Sequence, residues 1–267
     1  MRLKFMLLFI MIALLVSGCN QIDLPLKKLP FTSDDSGEEN QQPQEELPPE
    51  NDPLSLESIF FNEIKEVDGK NVIQNTTNTM ALVNNQYFLP ESYVPEDLVR
   101  PNVAFTFGDE EAEKSLMRQE AADALTKMFT EAKNAGIELF AVSGYRSYNR
   151  QEILFEAETN RVGRDKAMQV VAIPGSSEHQ SGLAMDITSR SINFNLDESY
   201  ANTKEGKWLA ENAHRFGFIL RYPKGKEAIT NYIYEPWHFR YVGVKAANVI
   251  YEHNWTLEEY FNEVKKM

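Results

Sequence analysis

The sequence predicts an α+β fold behind a long polar leader, and three observations carry that reading. Short apolar runs of strand length and amphipathic runs of helix length are interspersed along residues 60–267 without the regular βαβ alternation of a parallel sheet. No internal repeat is visible. Residues 20–59 have a composition that cannot bury enough apolar surface to offset the entropy of ordering, so the core must lie after them.

The chain opens with Arg2 and Lys4 ahead of an apolar run from Phe5 to Val16. That run is short for a membrane helix, which needs about 20 residues, and it reads as the core of a signal peptide. Leu15-Val16-Ser17-Gly18-Cys19 follows and contains the only cysteine of the chain. It resembles the lipobox of bacterial lipoproteins, in which the cysteine is lipidated and becomes the mature N-terminus. Val16 stands where leucine is commonest. An uncleaved anchor or a cut elsewhere are the alternatives, but a lone cysteine directly after a signal core has no disulfide partner. Residues 1–19 are therefore expected to be a lipoprotein signal peptide. The mature chain is expected on the outer face of a bacterial membrane, lipid-anchored through Cys19.

Residues 20–59 form the expected tether, in which Pro25, Pro30, Pro43, Pro48, Pro49 and Pro53 recur among glutamine, serine and acid. The formal charge of the chain is -13, and ten acidic residues between Asp34 and Glu63 supply most of it. The remainder is nearly neutral. Such a chain lacks the basic surface of a nucleic-acid binder. As a coil of about 35 residues the tether spans roughly 30 to 35 Å, and about 110 Å in polyproline form.

Residues 60–267 make the expected folded domain. Val72-Ile73 and Met80-Ala81-Leu82-Val83 read as short strands, and the prolines in Leu89-Pro90 and Tyr93-Val94-Pro95 as an extended arm. Glu111 to Ala135 is helical by its spacing of Leu125, Phe129 and Ala132, with Gly136 as the stop. Ile137 to Val142 is a buried strand, followed by a helix carrying Ile153, Leu154 and Phe155. Lys204 to Phe216 is amphipathic, and Phe218 to Tyr222 and Phe239 to Val242 are strands. Val244 to Tyr251 is helical, and Thr256 with Glu259 is a capping box opening a last helix.

One stretch organises the rest: Ser177-Glu178-His179-Gln180-Ser181-Gly182-Leu183-Ala184-Met185-Asp186-Ile187. A loop histidine and a strand aspartate converge on one ion if the chain between them turns back, which Gly182 permits. His238, in Glu235-Pro236-Trp237-His238-Phe239-Arg240-Tyr241, is the best third ligand. Two imidazoles and one carboxylate leave a coordination position open, as in a catalytic zinc site. Taken singly, each has a plainer role: a surface histidine, a turn aspartate, a half-buried histidine in an aromatic strand. His214 and His253 lack such company and read as structural.

With Ser143-Gly144-Tyr145-Arg146-Ser147 added, the three motifs resemble those of the VanY-type D-alanyl-D-alanine carboxypeptidase family. LdcB-type L,D-carboxypeptidases are close relatives of that family. The resemblance runs from about Leu82 to Val249. It implies a small antiparallel sheet flanked by helices with zinc on one sheet face. It places the zinc ligands on His179, Asp186 and His238, the catalytic glutamate on Glu235, and the substrate contacts on Arg146, Gln151 and Ser177.

The residues themselves support that chemistry. Glu235 sits where a general base takes a proton from water, or else it is a salt-bridge partner beside a structural ion. Arg146 suits a substrate carboxylate or a developing oxyanion, because guanidinium grips planar oxygens in a fork. Ser177 and Gln151 equally satisfy loop backbone. No serine is followed three positions on by lysine, and there is no Gly-x-Ser-x-Gly and no His-Glu-x-x-His. The expectation is a monomeric zinc carboxypeptidase, with Zn2+ as cofactor, that removes the terminal D-alanine of peptidoglycan stem peptides. The alternatives are L,D cleavage of a tetrapeptide, an endopeptidase, and a zinc-stabilised wall-binding module without turnover.

Overall fold

A computed structural model describes residues 52–267; the expected signal peptide, Cys19 and the tether as far as residue 51 lie outside the described residues. The described chain enters through β1 (Ser55–Leu56) and the antiparallel hairpin of β2 (Ile64–Val67) and β3 (Lys70–Ile73). β4 (Tyr87–Phe88) joins β3 in parallel, and β5 (Leu98–Val99) pairs with β6 (Met117–Arg118). α1 (Gln119–Asn134) leads to β7 (Phe140–Ser143), and α2 (Tyr148–Val162) and α3 (Arg164–Ala167) lead to β8 (Ala184–Thr188). α4 (Lys204–Asn212), β9 (Phe218–Leu220), α5 (Glu227–Thr230) and β10 (His238–Tyr241) follow. α6 (Val244–His253), α7 (Leu257–Glu263) and β11 (Lys265–Lys266) end the chain, with β11 pairing with β1 in parallel.

The α+β class stands. Its centre is a four-stranded antiparallel sheet in the order β7-β8-β10-β9. Side chains alternate between the faces of a strand, and the two faces do different things. Met185 and Ile187 of β8, Phe239 of β10 and Phe218 of β9 pack with Leu125, Met128, Phe129 and Ala132 of α1 in the main core. Asp186 and His238 therefore point to the opposite face. They are direct cross-strand partners in the β8–β10 register. A second core joins Ile219 and Val242 to Ala247, Ile250, Leu257 and Tyr260 of the C-terminal helices, and Leu56 closes it.

Three expectations shift. Packing begins ahead of Phe60, because Ser55 and Leu56 are buried against the end of the chain and β1 borrows hydrogen bonds from β11. Met80, Ala81 and Val83 are buried, yet the stretch forms no strand. The Ala81 carbonyl accepts a hydrogen bond from Arg240 instead of from a sheet neighbour. The helix expected from Glu111 begins only at Gln119. Ahead of it, Lys114 and Leu116 give their carbonyls to the amides of Gly144 and Tyr145, and Arg118 gives its amide to the Gly182 carbonyl. After a short 3-10 turn at Glu113–Ser115, tertiary partners thus hold residues 116–118 extended where local propensity favours helix. The capping box at Thr256 and Glu259 is formed as expected.

Candidate metal centre and active site

β8 and β10 bring Asp186 and His238 side by side, and a short 3-10 turn at Glu178–Ser181 brings His179 over them. Gly182 ends that turn in the left-handed region, at φ 70°, and lets the chain fold back into β8. The Asp186 carboxylate lies between the two rings. Its Oδ1 is 3.1 Å from His238 Nδ1 and its Oδ2 is 3.4 Å from His179 Nε2. One ligand atom from each residue falls within 4.8 Å of the others, and all three residues are buried.

Each imidazole is oriented by a partner behind it. His179 Nδ1 stands 2.8 Å from the Gly144 carbonyl, which only accepts, so Nδ1 carries the hydrogen and the Nε2 lone pair faces Asp186. Burial holds His179 at a pKa of about 3, well below the usual imidazole, against the pull of Asp186. Burial also opposes charge on His238, but hydrogen bonds to Asp186 and Glu178 win and raise it to about 9. A neutral ring on one side, a carboxylate in the middle and a ring that attracts positive charge on the other make a donor set suited to a divalent cation such as zinc.

The Gly144 carbonyl is placed by a tight approach. A Cβ there would lie 2.4 Å from the Leu116 carbonyl oxygen and 2.9 Å from the Met185 side chain, so only glycine fits. Gly144→Ala is expected to destabilise the chain by about 1–3 kcal/mol and to weaken metal binding, because the strand end supporting His179 must move. Thermal unfolding read with and without added zinc checks both effects.

The three residues line a cavity of about 460 Å³ together with Arg146, Ser177 and Glu235. Glu235 Oε2 lies 4.0 Å from His238 Nδ1. Burial raises its pKa to about 7, with the nearby Asp186 carboxylate adding to it and His238 opposing it. That is the range in which a carboxylate exchanges protons at neutral pH. Arg146 extends from the loop after β7, its Nη1 donating to Gln151 Oε1 at 2.9 Å and its Nη2 to Ser143 Oγ at 3.1 Å. Gln151 stands behind Arg146, buried, and its amide nitrogen donates to the Ala172 carbonyl at 2.7 Å. Among the expected site residues it is the one outside the cavity lining.

Several contributors were not named from the sequence: Glu178, Arg221, Arg240, Tyr222 and Tyr232. Tyr222 packs its ring 4.9 Å from that of His238 and 4.6 Å from that of Tyr232. The signal for the arginines was present. Each interrupts an apolar stretch, Phe218-Ile219-Leu220-Arg221-Tyr222 and Phe239-Arg240-Tyr241, and arginine is almost never fully buried unless paired.

Residues 114–244 match the VanY family, described as D-alanyl-D-alanine carboxypeptidase. The putative carboxypeptidase YodJ of Bacillus subtilis (strain 168) is 57% identical over 218 residues, which are 82% of this chain and 80% of that protein. The chain belongs to the VanY family. Among solved structures of this family's relatives, that of the LdcB LD-carboxypeptidase, described as revealing the molecular basis of peptidoglycan recognition, is 58% identical. It superposes with a TM-score of 0.78 over 80% of this chain and all of that one, 100%. A mutant of the vancomycin resistance D,D-pentapeptidase VanY from a VanB-type cassette, in complex with Zn(II), is 35% identical. Its TM-score is 0.55 over 69% of this chain and 99% of that one.

Proposed function

We propose that this VanY-family chain is a zinc-dependent carboxypeptidase that releases the C-terminal D-alanine from peptidoglycan stem peptides. The observation that carries it is one cavity holding two histidines and an aspartate in ligand reach of each other, with Glu235 and Arg146 also lining it. His179 Nε2, Asp186 and His238 Nδ1 would hold the ion. Bound there, zinc supplies Lewis acidity and brings the pKa of water down to about 7.

The chain's own groups do the rest. Arg146, locked by Gln151 and Ser143, presents a fixed cation to the terminal carboxylate or to the oxyanion of the scissile carbonyl. Ser177 lies on the cavity wall where it meets the peptide. Glu235 takes the proton of the attacking water as its oxygen adds to the carbonyl carbon. It returns that proton to the leaving amine as the C–N bond breaks, so that one water becomes the new carboxyl and the free amino group of D-alanine.

Two bonds fit this chemistry: D-Ala to D-Ala in a pentapeptide, and an L-residue to D-Ala in a tetrapeptide. The 58% identity to the LdcB LD-carboxypeptidase, against 35% to the D,D-pentapeptidase, favours the tetrapeptide. Incubating the full chain with both peptides side by side and measuring released D-alanine tests this. Faster release from the tetrapeptide is expected, and release from the pentapeptide alone would assign the D,D bond.

Lipidation of Cys19 and an acidic tether ahead of Ser55 would hold the folded domain to the outer face of the membrane, within reach of the wall. The signal core and the lone cysteine of the sequence support that placement.

A further inference from the structure

We propose that Glu178 is the positioning residue for His238. It dictates which ring nitrogen faces the cation and holds the ring through a buried, charge-balanced network of Arg221, Arg240 and Glu258. The inference rests on the metal reading above and concerns how that ligand is made ready.

His238 has a carboxylate at each nitrogen, Asp186 at Nδ1 and Glu178 Oε2 at Nε2, the latter 3.2 Å away. A carboxylate only accepts. A cation held between His179, Asp186 and His238 would displace the hydrogen that Nδ1 donates to Asp186, while Glu178 keeps the one on Nε2, so Nδ1 is the nitrogen offered. His179 is prepared in the opposite tautomer by the Gly144 carbonyl. The two rings, set at 89° to each other with centroids 5.0 Å apart, thus offer different nitrogens to one point.

The two oxygens of Glu178 divide their tasks. Oε2 serves His238, while Oε1 accepts from Arg221 Nε and Arg240 Nη1, both at 2.7 Å. Arg221 turns its remaining nitrogens to Glu258 as a fork, Nη1 to Oε2 at 2.9 Å and Nη2 to Oε1 at 2.6 Å. Arg240 Nη2 donates to the carbonyls of Thr79 and Ala81, and Asn84 donates to Glu258. Glu178, Arg221 and Arg240 have fully buried side chains.

Two carboxylates and two guanidiniums, joined at 2.6 to 2.9 Å, balance in charge and fix the Glu178 carboxylate in place behind the ring. Thr79, Ala81 and Asn84 lie before the matched span 114–244 and Glu258 lies after it, so segments on both sides of that span complete the support of one ligand.

The test compares the full chain with Glu178→Asp and Thr203→Ala. Aspartate keeps the charge for the arginines but withdraws the carboxylate by one methylene. Thr203→Ala removes the cap of α4, far from the network, as a control for lost stability. Zinc affinity is measured by competition with a chromophoric chelator, and kcat and KM on the stem peptide are measured in parallel. Glu178→Asp is expected to weaken zinc about 10–100-fold and to lower kcat more than KM, whereas Thr203→Ala lowers the unfolding temperature and leaves zinc affinity unchanged. Equal zinc affinity in Glu178→Asp and the parent overturns the proposal. So does an equal loss in Thr203→Ala.

Nitrogen NMR of the zinc-loaded parent decides the tautomer without any variant. Ligation of His238 through Nδ1 with a protonated Nε2 supports the proposal, and ligation through Nε2 overturns it. A parent in which zinc leaves both His179 and His238 unperturbed would instead remove the metal reading, which distinguishes the two failures.

Discussion

Replacing Glu235 by glutamine is expected to cut D-alanine release by about 10²–10⁴-fold while zinc binding persists. Glutamine keeps the shape of the side chain, which lies against the metal centre without being one of its three ligands. It removes the ability to take up a proton and return it. The same change is expected to raise stability. Glu235 has its folded pKa raised from 4.5 to about 7 by burial. The native chain therefore binds that proton more tightly than the unfolded one. The stability this contributes is present below the unfolded pKa and is lost as the pH rises from 4.5 to about 7. Above that window the ionised carboxylate costs at most about 3 kcal/mol, and Glu235→Gln recovers part of it. Denaturant titrations of chelator-treated parent and variant should coincide near pH 4 and diverge above pH 7, with the variant more stable. A pH profile of kcat/KM in the parent should fall on the acid side as Glu235 takes up its proton. A cation in the centre moves that limb to lower pH.

Metal removal should have the second large effect. Treatment with a strong chelator is expected to abolish release of D-alanine, and added zinc to restore it. Stability follows by mass action: zinc present at about 1,000 times its dissociation constant adds about 4 kcal/mol. That corresponds to roughly 8–16 °C in unfolding temperature for a domain of this size. Calorimetry of the chain with and without chelator reads the shift. The sign follows from the site. Asp186 and Glu235 lie together at the buried centre, and a cation relieves the repulsion between their carboxylates.

The candidate cluster of His179, Asp186 and His238 was legible in the sequence because strand and turn chemistry act locally. His179 precedes a glycine that closes a turn, Asp186 sits on an odd-even strand with Met185 and Ile187 in the core, and His238 sits on another such strand. Their convergence depends on the β8–β10 register, which no local pattern fixes. The motif match supplied that expectation. Gln151 shows the limit in the other direction. Its residue type suits a peptide contact, yet the geometry turns both of its polar atoms to Arg146 and Ala172.

The buried ion network escaped for a different reason. Arg221 and Arg240 each interrupt an apolar stretch, which hints at a buried partner, but only long-range packing shows that the partners are Glu178 and Glu258. Breaking such a fully buried pair typically costs about 3–5 kcal/mol. Charge placement of that kind is set by the whole fold. Residues 116–118 teach the same lesson for secondary structure: a helix-favouring stretch stays extended because Tyr145 and Gly182 claim its backbone.

The most direct measurement is a crystal of the zinc-soaked chain with anomalous scattering recorded on both sides of the zinc absorption edge. One strong peak is expected enclosed by His179 Nε2, the Asp186 carboxylate and His238 Nδ1, beside Glu235. No peak there, or a peak that excludes either histidine, would contradict it.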